Sequence, residues 1–372
     1  MLLPQFKNQS KKTSPDISLH KIFSKFGPCH SRIVTFNPAP SSLQAAYPLS
    51  QPVKMGSLTR DSGHSVWYET FGDPTLPAVL LVHGGPGVPV AEYRQLIDPT
   101  KNYIIFVHQR GCGKSKPTGH LENNNTSALV NDLKAVLNHL KINKVAVQGH
   151  SWGGALGLVF AGTYPEMVDY ILLRGPTNGD RSGFVRKLHI TGPEQFSDYW
   201  SNLVEDLSDE QKQDLVKTLY EKIVLSKDEA ERIKYMTRFS NMNDAFSTVR
   251  ADSKVKTRDI ELESNIYKLI FHYVQNNYFL GEKRLLELVK NIIAPIICLH
   301  GRHDRNCYPI NSVKITSAAQ NGLMIMVDGA SHSALSPLMI NAIVKTQAVM
   351  ESNFRTKVES HQKKTDKISL RL

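Results

Sequence analysis

A serine hydroxyl, an imidazole and a carboxylate can together cleave an acyl bond, and this chain carries all three at telling places. Ser151 lies in Gly149-His-Ser-Trp-Gly153, directly after the apolar run Val145–Gln148 and before the small-residue segment Gly154–Thr163. A strand, a turn tight enough to need two glycines, and a helix form a nucleophile elbow, which lifts the serine above a sheet. The helix starts beneath it and aims its unpaired N–H groups at any charge that forms there. A serine is a weak nucleophile until a histidine takes its proton and an acid holds that histidine. Asp304 follows the run Pro295–Leu299 within His300-Gly-Arg-His-Asp304, and His332 follows Leu323–Val327 within Asp328-Gly-Ala-Ser-His332. The order Ser151, Asp304, His332 puts acid and base after the nucleophile, each in a loop leaving the carboxyl end of a strand. Asp328 competes for the acid role, but it stands four residues before His332 and is read as shaping that loop.

The oxyanion of the tetrahedral intermediate also needs donors. His83-Gly-Gly-Pro-Gly87 follows the buried run Ala78–Val82, and its glycines let backbone N–H groups face an anion. Gly85 N–H and Trp152 N–H are the candidate pair, with Gly84 and Pro86 in the same loop. Gln109-Arg-Gly-Cys-Gly113 reads as a tight loop beside the site, with Arg110 either structural or facing substrate. Gly111-Cys-Gly-Lys-Ser115 imitates the end of a phosphate loop, but His108 stands where that motif requires glycine. Cys112 has no evident base beside it.

The elements that position these residues follow from periodicity. Ala78–Val82, Tyr103–Val107, Val145–Gln148, Tyr170–Leu173, Pro295–Leu299 and Leu323–Val327 are short and apolar throughout, as parallel strands buried on both faces are. His64–Glu69 alternates like an edge strand, and ordered structure is expected from about Gly56. Thr126–Leu140 and Leu338–Met350 have helical period. Between about 180 and 287 the pattern is helical alone, with segments at Ser197–Glu205, Asp209–Lys222, Lys227–Met236 and Ile260–Phe271. The fold class is therefore α/β: a mostly parallel sheet with helices on both faces and an inserted helical region. The expected division is an N-terminal extension (1–46), core (47–179), helical cap bounding the pocket (180–287), core (288–353) and a basic, frayed tail (354–372). One short helix is expected in the extension at Asp16–Phe26, followed by a linker around Pro38, Pro40, Ser41 and Ser42.

The 372 residues, 41% hydrophobic and 8% aromatic, suffice for a large core. The net charge of +11 would suggest a nucleic-acid partner if it were spread over the body. Residues 1–52 carry +5 and residues 354–372 carry +4, which leaves +2 for everything between. Nucleic acid is excluded as a main partner on that distribution. No apolar run reaches membrane-spanning length. Cys29, Cys112, Cys298 and Cys307 lack ligand spacing, so no metal is expected, and a reducing compartment is the simpler reading. The cytoplasm fits, with organelle targeting through the basic N-terminus as the alternative. Neither the oligomeric state nor the role of the two extensions follows from the sequence.

Several motifs together resemble the prolyl aminopeptidases (proline iminopeptidases) of the α/β hydrolase superfamily. They are Tyr47-Pro48, Gly72-Asp-Pro, His83-Gly-Gly-Pro-Gly, His108-Gln-Arg-Gly-Cys-Gly-Lys-Ser, Gly149-His-Ser-Trp-Gly-Gly, Leu173-Arg-Gly, Gly301-Arg-His-Asp and Gly329-Ala-Ser-His-Ser-Ala. The likeness covers about residues 47–350. It implies an α/β-hydrolase fold with a helical cap, release of N-terminal proline from short peptides, and no metal or organic cofactor. The chain departs from the family at His108, where Asp is usual, and at Val88 and Pro89, where glycines are usual. The family binds the substrate's free amino terminus with cap glutamates; Asn243 and Gln275 stand at those two positions. Both keep an oxygen acceptor and lose the charge. Asp244, Glu261 or Glu263 could replace it. A different amidase or esterase specificity, or a non-catalytic binding protein on this scaffold, are the alternative functions.

Overall fold

A computed structural model describes residues 32–38, 43–247 and 259–369, with Arg32 and residues 354–369 as backbone alone. The expected helix at Asp16–Phe26, the linker residues Pro40, Ser41 and Ser42, and Cys29 lie outside the described residues.

Nine strands form one sheet: β1 (Arg32–Phe36), β2 (Lys54–Thr59), β3 (Ser65–Phe71), β4 (Ala78–Val82), β5 (Tyr103–Val107), β6 (Val145–His150), β7 (Val168–Arg174), β8 (Ile296–Gly301) and β9 (Gly322–Val327). Their spatial order is β1-β9-β8-β7-β6-β4-β5-β3-β2. Pairing is antiparallel at β2–β3 and β3–β5 and parallel elsewhere.

Successive side chains of each central strand point to opposite faces, and both faces are covered. Leu80, Val82, Ile105 and Val147 pack under α1 (Thr126–His139) and α2 (Trp152–Thr163). Val79, Leu81, Ile104 and Phe106 join Met339, Ile343 and Val349 of the C-terminal helix on the other face. Each such side chain contributes about 1.5–3 kcal/mol on burial.

The extension expected to lie outside the core adds to the sheet instead. Arg32–Phe36 pairs parallel with β9, Val34 opposite Ile325. Sequence alone hides this strand, because it is short, flanked by polar residues and half open, with Ile33 exposed. Lys54–Thr59 spans the expected start of ordered structure near Gly56. The C-terminal helix, expected to end at Met350 with a frayed tail beyond, runs Pro337–Ser369.

Between β7 and β8 the described residues carry helices and no strand. Short helices at Ser182–Arg186, Ser197–Val204 and Leu215–Tyr220 precede α3 (Glu229–Ser247), α4 (Ile260–Gln275) and α5 (Glu282–Lys290). The helix expected over Asp209–Lys222 breaks at Asp214, whose carboxylate caps Lys217 N–H at 3.1 Å. The cap core is aromatic: Phe239 lies 5.6 Å from Phe184 and 5.2 Å from Phe271, centroid to centroid. Tyr273 and Tyr278 each reach within 5.2 Å of Trp152, which fastens the cap to the elbow helix. Leu288 of α5 lies over Gly162 of α2, so α5 packs on the core.

Candidate active site

Parallel register brings the strand ends into one row. Val82 pairs with Gly149, His150 with Arg174, Arg174 with Leu299, and Gly301 with Val327. The loops after β4, β6, β7, β8 and β9 therefore open on one side of the sheet, and the inserted helices roof them.

Ser151 sits at φ 54°, ψ −121°. A non-glycine residue held there stores roughly 1–3 kcal/mol of strain, which the surrounding structure must over-determine. Ser151 N–H donates to Arg174 O at 3.0 Å, and Ser151 O accepts from Gly154 N–H at 3.0 Å. The two elbow glycines are forced by contact. A Cβ on Gly153 would overlap the carbonyl oxygens of Val82 and His83, and one on Gly149 would lie 2.6 Å from Gly153 O.

Asp304 and His332 meet across the ends of β8 and β9, with Asp304 Oδ2 2.8 Å from His332 Nδ1. Asp304 Oδ1 accepts from Asn306 N–H at 2.9 Å and Cys307 N–H at 2.8 Å. Burial alone would raise this carboxyl, but His332 and His300 outweigh it and hold it well below the usual carboxylate range. Gly175, at the end of β7, makes room for the pair: a Cβ there would lie 2.9 Å from Asp304 Oδ2 and 3.4 Å from His332 Nδ1. Asp328 turns away and pairs with Arg302. His150 packs against His332 with ring centroids 4.8 Å apart. Burial, then Arg174 and His332, keep His150 neutral.

The Ser151 hydroxyl contacts Cys307 Sγ at 3.6 Å. Burial and then the Asp304 charge push that thiol up to about 12, so it stays protonated beside the serine. Cys112 is also kept protonated by burial, its Sγ donating to Gln109 O at 3.1 Å.

Gly84 and Gly85 line the same cavity as Ser151, Trp152 and His332. Gly84 is in close contact with the elbow: a Cβ there would lie 3.2 Å from Ser151 Cβ. Gln109 clamps this loop to the elbow. Its side chain donates to His83 O at 2.8 Å and accepts from Trp152 Nε1 at 3.1 Å. His83 Nδ1–H donates to Gly84 O at 2.9 Å, and burial keeps the ring neutral with a pKa of about 3. His108 supplies an acceptor: Lys114 N–H donates to its Nδ1 at 3.0 Å.

The cavity measures about 210 Å³. Of the sequence-predicted pocket residues, Gly84 and Asn243 line it, as do the oxyanion candidates Gly85 and Trp152. Gln109 and Pro86 are buried behind it. Arg110 is wholly structural, forked onto Asp132 at 2.6 and 2.9 Å and bonded to Asp61 and Asn123 O. Gln275 is not among the lining residues, whereas Tyr278 is, the middle of three successive residues at positive φ, Asn277–Phe279. None of Asp244, Glu261 and Glu263 is among the described lining residues, whereas Asp180 is. Lys187, Asn306, Cys307 and Tyr278 also line it and had no sequence motif to announce them.

An elbow serine at the end of a parallel strand, under an inserted helical cap, defines an α/β hydrolase, and a family model of the alpha/beta hydrolase fold matches residues 77–336. The proline iminopeptidase of Xylella fastidiosa is 30% identical over 310 residues, covering 81% of this chain and 98% of its own. That of Neisseria meningitidis serogroup B is 29% identical over 310 residues, covering 80% and 96%. Among solved structures, VinJ superposes with a TM-score of 0.54 at 16% identity, covering 82% of this chain and 99% of its own, a likeness of fold alone. The chain belongs to the proline iminopeptidase family of α/β hydrolases and is a serine hydrolase. Among the described residues, no helix is long and apolar enough to cross a membrane.

Proposed function

We propose that the protein cleaves a short peptide, small amide or ester through an acyl-enzyme on Ser151. Ser151 Oγ attacks the carbonyl carbon while its proton passes to His332 Nε2. Asp304 fixes the imidazole's tautomer and offsets its charge. The oxyanion is met by Gly85 and Trp152 N–H groups, each such donor being worth about 3 kcal/mol in the transition state. The C–N or C–O bond then breaks, and His332 returns the proton to the leaving group. Water repeats the sequence and frees the acid. The serine turns from Cys307 to His332 as substrate enters, since catalytic hydrogen bonds are often unmade in the empty site. The observation that carries this reading is the buried 2.8 Å Asp304–His332 pair opening on the same cavity as the elbow serine.

Family membership supports N-terminal proline as the acyl group, which would make the protein a prolyl aminopeptidase. One feature of the cavity favours the second reading, an amidase or esterase of different acyl specificity: Asn243, at a cap-glutamate position, accepts from a lysine ammonium at 3.2 Å. Comparing kcat/KM on prolyl-2-naphthylamide, N-acetylprolyl-2-naphthylamide and 4-nitrophenyl acetate separates the two. A free α-ammonium requirement favours the first substrate by a large factor; equal or better cleavage of the acetylated one selects the second reading. A reducing compartment accompanies either reading, the cytoplasm or an organelle reached through the basic N-terminus, supported by the three free, buried cysteines among the described residues.

A further inference from the structure

We propose that Lys187 reverses the charge selection of this pocket, so that it takes an acyl group ending in a carboxylate rather than one carrying an ammonium. The inference rests on the second reading above and names its substrate class.

Lys187 opens a wide π-helical turn, Lys187–Thr191, immediately after the Ser182–Arg186 helix. Its side chain lines the cavity, yet the residue is only 2% exposed. The Nζ donates to Asn306 Oδ1 at 2.8 Å and Asn243 Oδ1 at 3.2 Å. It lies 4.4 Å from the ring centroid of Phe184 and 5.5 Å from that of Phe246. These partners are neutral amides and π faces, and among the described residues no carboxylate forms an ion pair with it. An ammonium has three donors, and two are used. A buried cation with no carboxylate in direct contact is costly and is relieved by an anion entering beside it.

The location suits substrate. Asn306 immediately precedes Cys307, whose sulfur is 3.6 Å from Ser151 Oγ. An acyl group bound on Ser151 can thus extend along Cys307 and Asn306 to the lysine. The cavity's apolar residues Phe184, Phe239 and Ile270 suit a short methylene chain between the two ends. Burial pulls the ammonium down to about 8, opposed by the neighbouring Cys307 and the Asp304 carboxylate, so it is mostly cationic at neutral pH. The other titratable groups on the cavity are His150, His332, Tyr93, Tyr278, Tyr308, Cys307 and Asp180, with His150 held neutral by burial. Asp180 is the rival for an ammonium ligand. Its Oδ1 is occupied by Ser182 N–H at 2.8 Å, Ser182 Oγ at 2.6 Å and Asn178 Nδ2 at 2.9 Å.

The test is binding, so that it does not depend on turnover. Full-length Ser151→Ala protein is titrated calorimetrically with glutaryl-, valeryl- and prolyl-2-naphthylamide at neutral pH and at about pH 9.5. These ligands present an anionic, a neutral and a cationic acyl group. The glutaryl compound should bind about tenfold tighter than the valeryl compound, and the prolyl compound weakest of the three. That advantage should shrink at the higher pH, where Lys187 is neutral and the carboxylate remains charged. Adding Lys187→Met should abolish it. Should the Lys187→Met protein fail to fold, the pH series on the lysine-containing protein decides. Valeryl or prolyl binding as tight as glutaryl binding overturns the proposal, as does an advantage that persists at high pH or without the lysine. Failure of Ser151 to label with a fluorophosphonate would instead sink the acyl-enzyme reading and leave these binding ratios intact.

Discussion

The floor and the roof of the cavity treat charge in opposite ways. On the floor, the Asp304 carboxylate is buried but accepts from two backbone N–H groups and His332, and the buried His83 and His150 rings are held neutral. On the roof, Lys187 is buried with two amide oxygens and aromatic faces. The floor comes from loops at the ends of adjacent strands, where register fixes which residues meet. The roof comes from helices whose mutual packing decides what points inward. Chemistry can be kept on the floor while specificity is rewritten on the roof.

That contrast can be broken by changing the floor and finding catalysis untouched. The largest expected effect is from Ser151→Ala, which should lower kcat by about 10⁴ or more with the thermal midpoint nearly unchanged. Near-normal turnover by the purified variant would remove the floor's role altogether.

Two acids sharpen the assignment. Asp304→Asn should lower kcat by about 10⁴, because the imidazole loses the partner that sets its tautomer. Asp328→Asn should leave kcat within about threefold, since its pair with Arg302 is a partly exposed one worth ~0–1 kcal/mol. The reverse ranking in parallel steady-state kinetics would move the acid role to Asp328.

Gly175→Ala is the next step down. The new methyl group would press on Asp304 Oδ2 and also force a side chain onto a φ of 48°. Displacement of the pair should cost about 10²-fold in kcat, with KM less affected. Wild-type kinetics in the alanine variant would show that the pair tolerates movement.

The smallest effect is on stability against acid. His83 is pulled down to about 3 and His108 to about 4, in both cases chiefly by burial, against about 6.5 in an unfolded chain. Below pH ~6.5 the unfolded state takes up protons that the folded state refuses, so stability present above that pH falls steadily toward pH 4. The urea midpoint should therefore drop between pH 7 and 4.5. A flat midpoint would mean that these rings are not kept neutral.

The floor was legible in the sequence because each functional residue ends an apolar run. Val145–Gln148, Pro295–Leu299 and Leu323–Val327 declare strands, and whatever follows them must sit at the sheet's carboxyl edge. Gln109 and Arg110 were placed near the site by the same logic, but sequence gave no depth. Burial shows Gln109 as a clamp between His83 and Trp152, and Arg110 as an anchor for Asp132. The roof offered weaker signals. Lys187 occupies an apolar-stripe position, three residues after Phe184 and one before Leu188, and Asn243 lies between Phe239 and Phe246 on a buried helical face. A polar residue on such a stripe is the mark that was available. Gln275 does not line the cavity and Tyr278 does, in a run of three residues at positive φ, Asn277–Phe279, of which Asn277 alone is a type that favours such backbone.

The central claim is that Ser151 is a nucleophile activated by His332. It is tested most directly by treating the purified protein with a fluorophosphonate and mapping the adduct by peptide mass spectrometry. A single phosphonyl adduct should appear on Ser151, and labelling should slow by at least about 10²-fold in His332→Ala. An unlabelled Ser151, or an adduct that forms equally fast without His332, would contradict it.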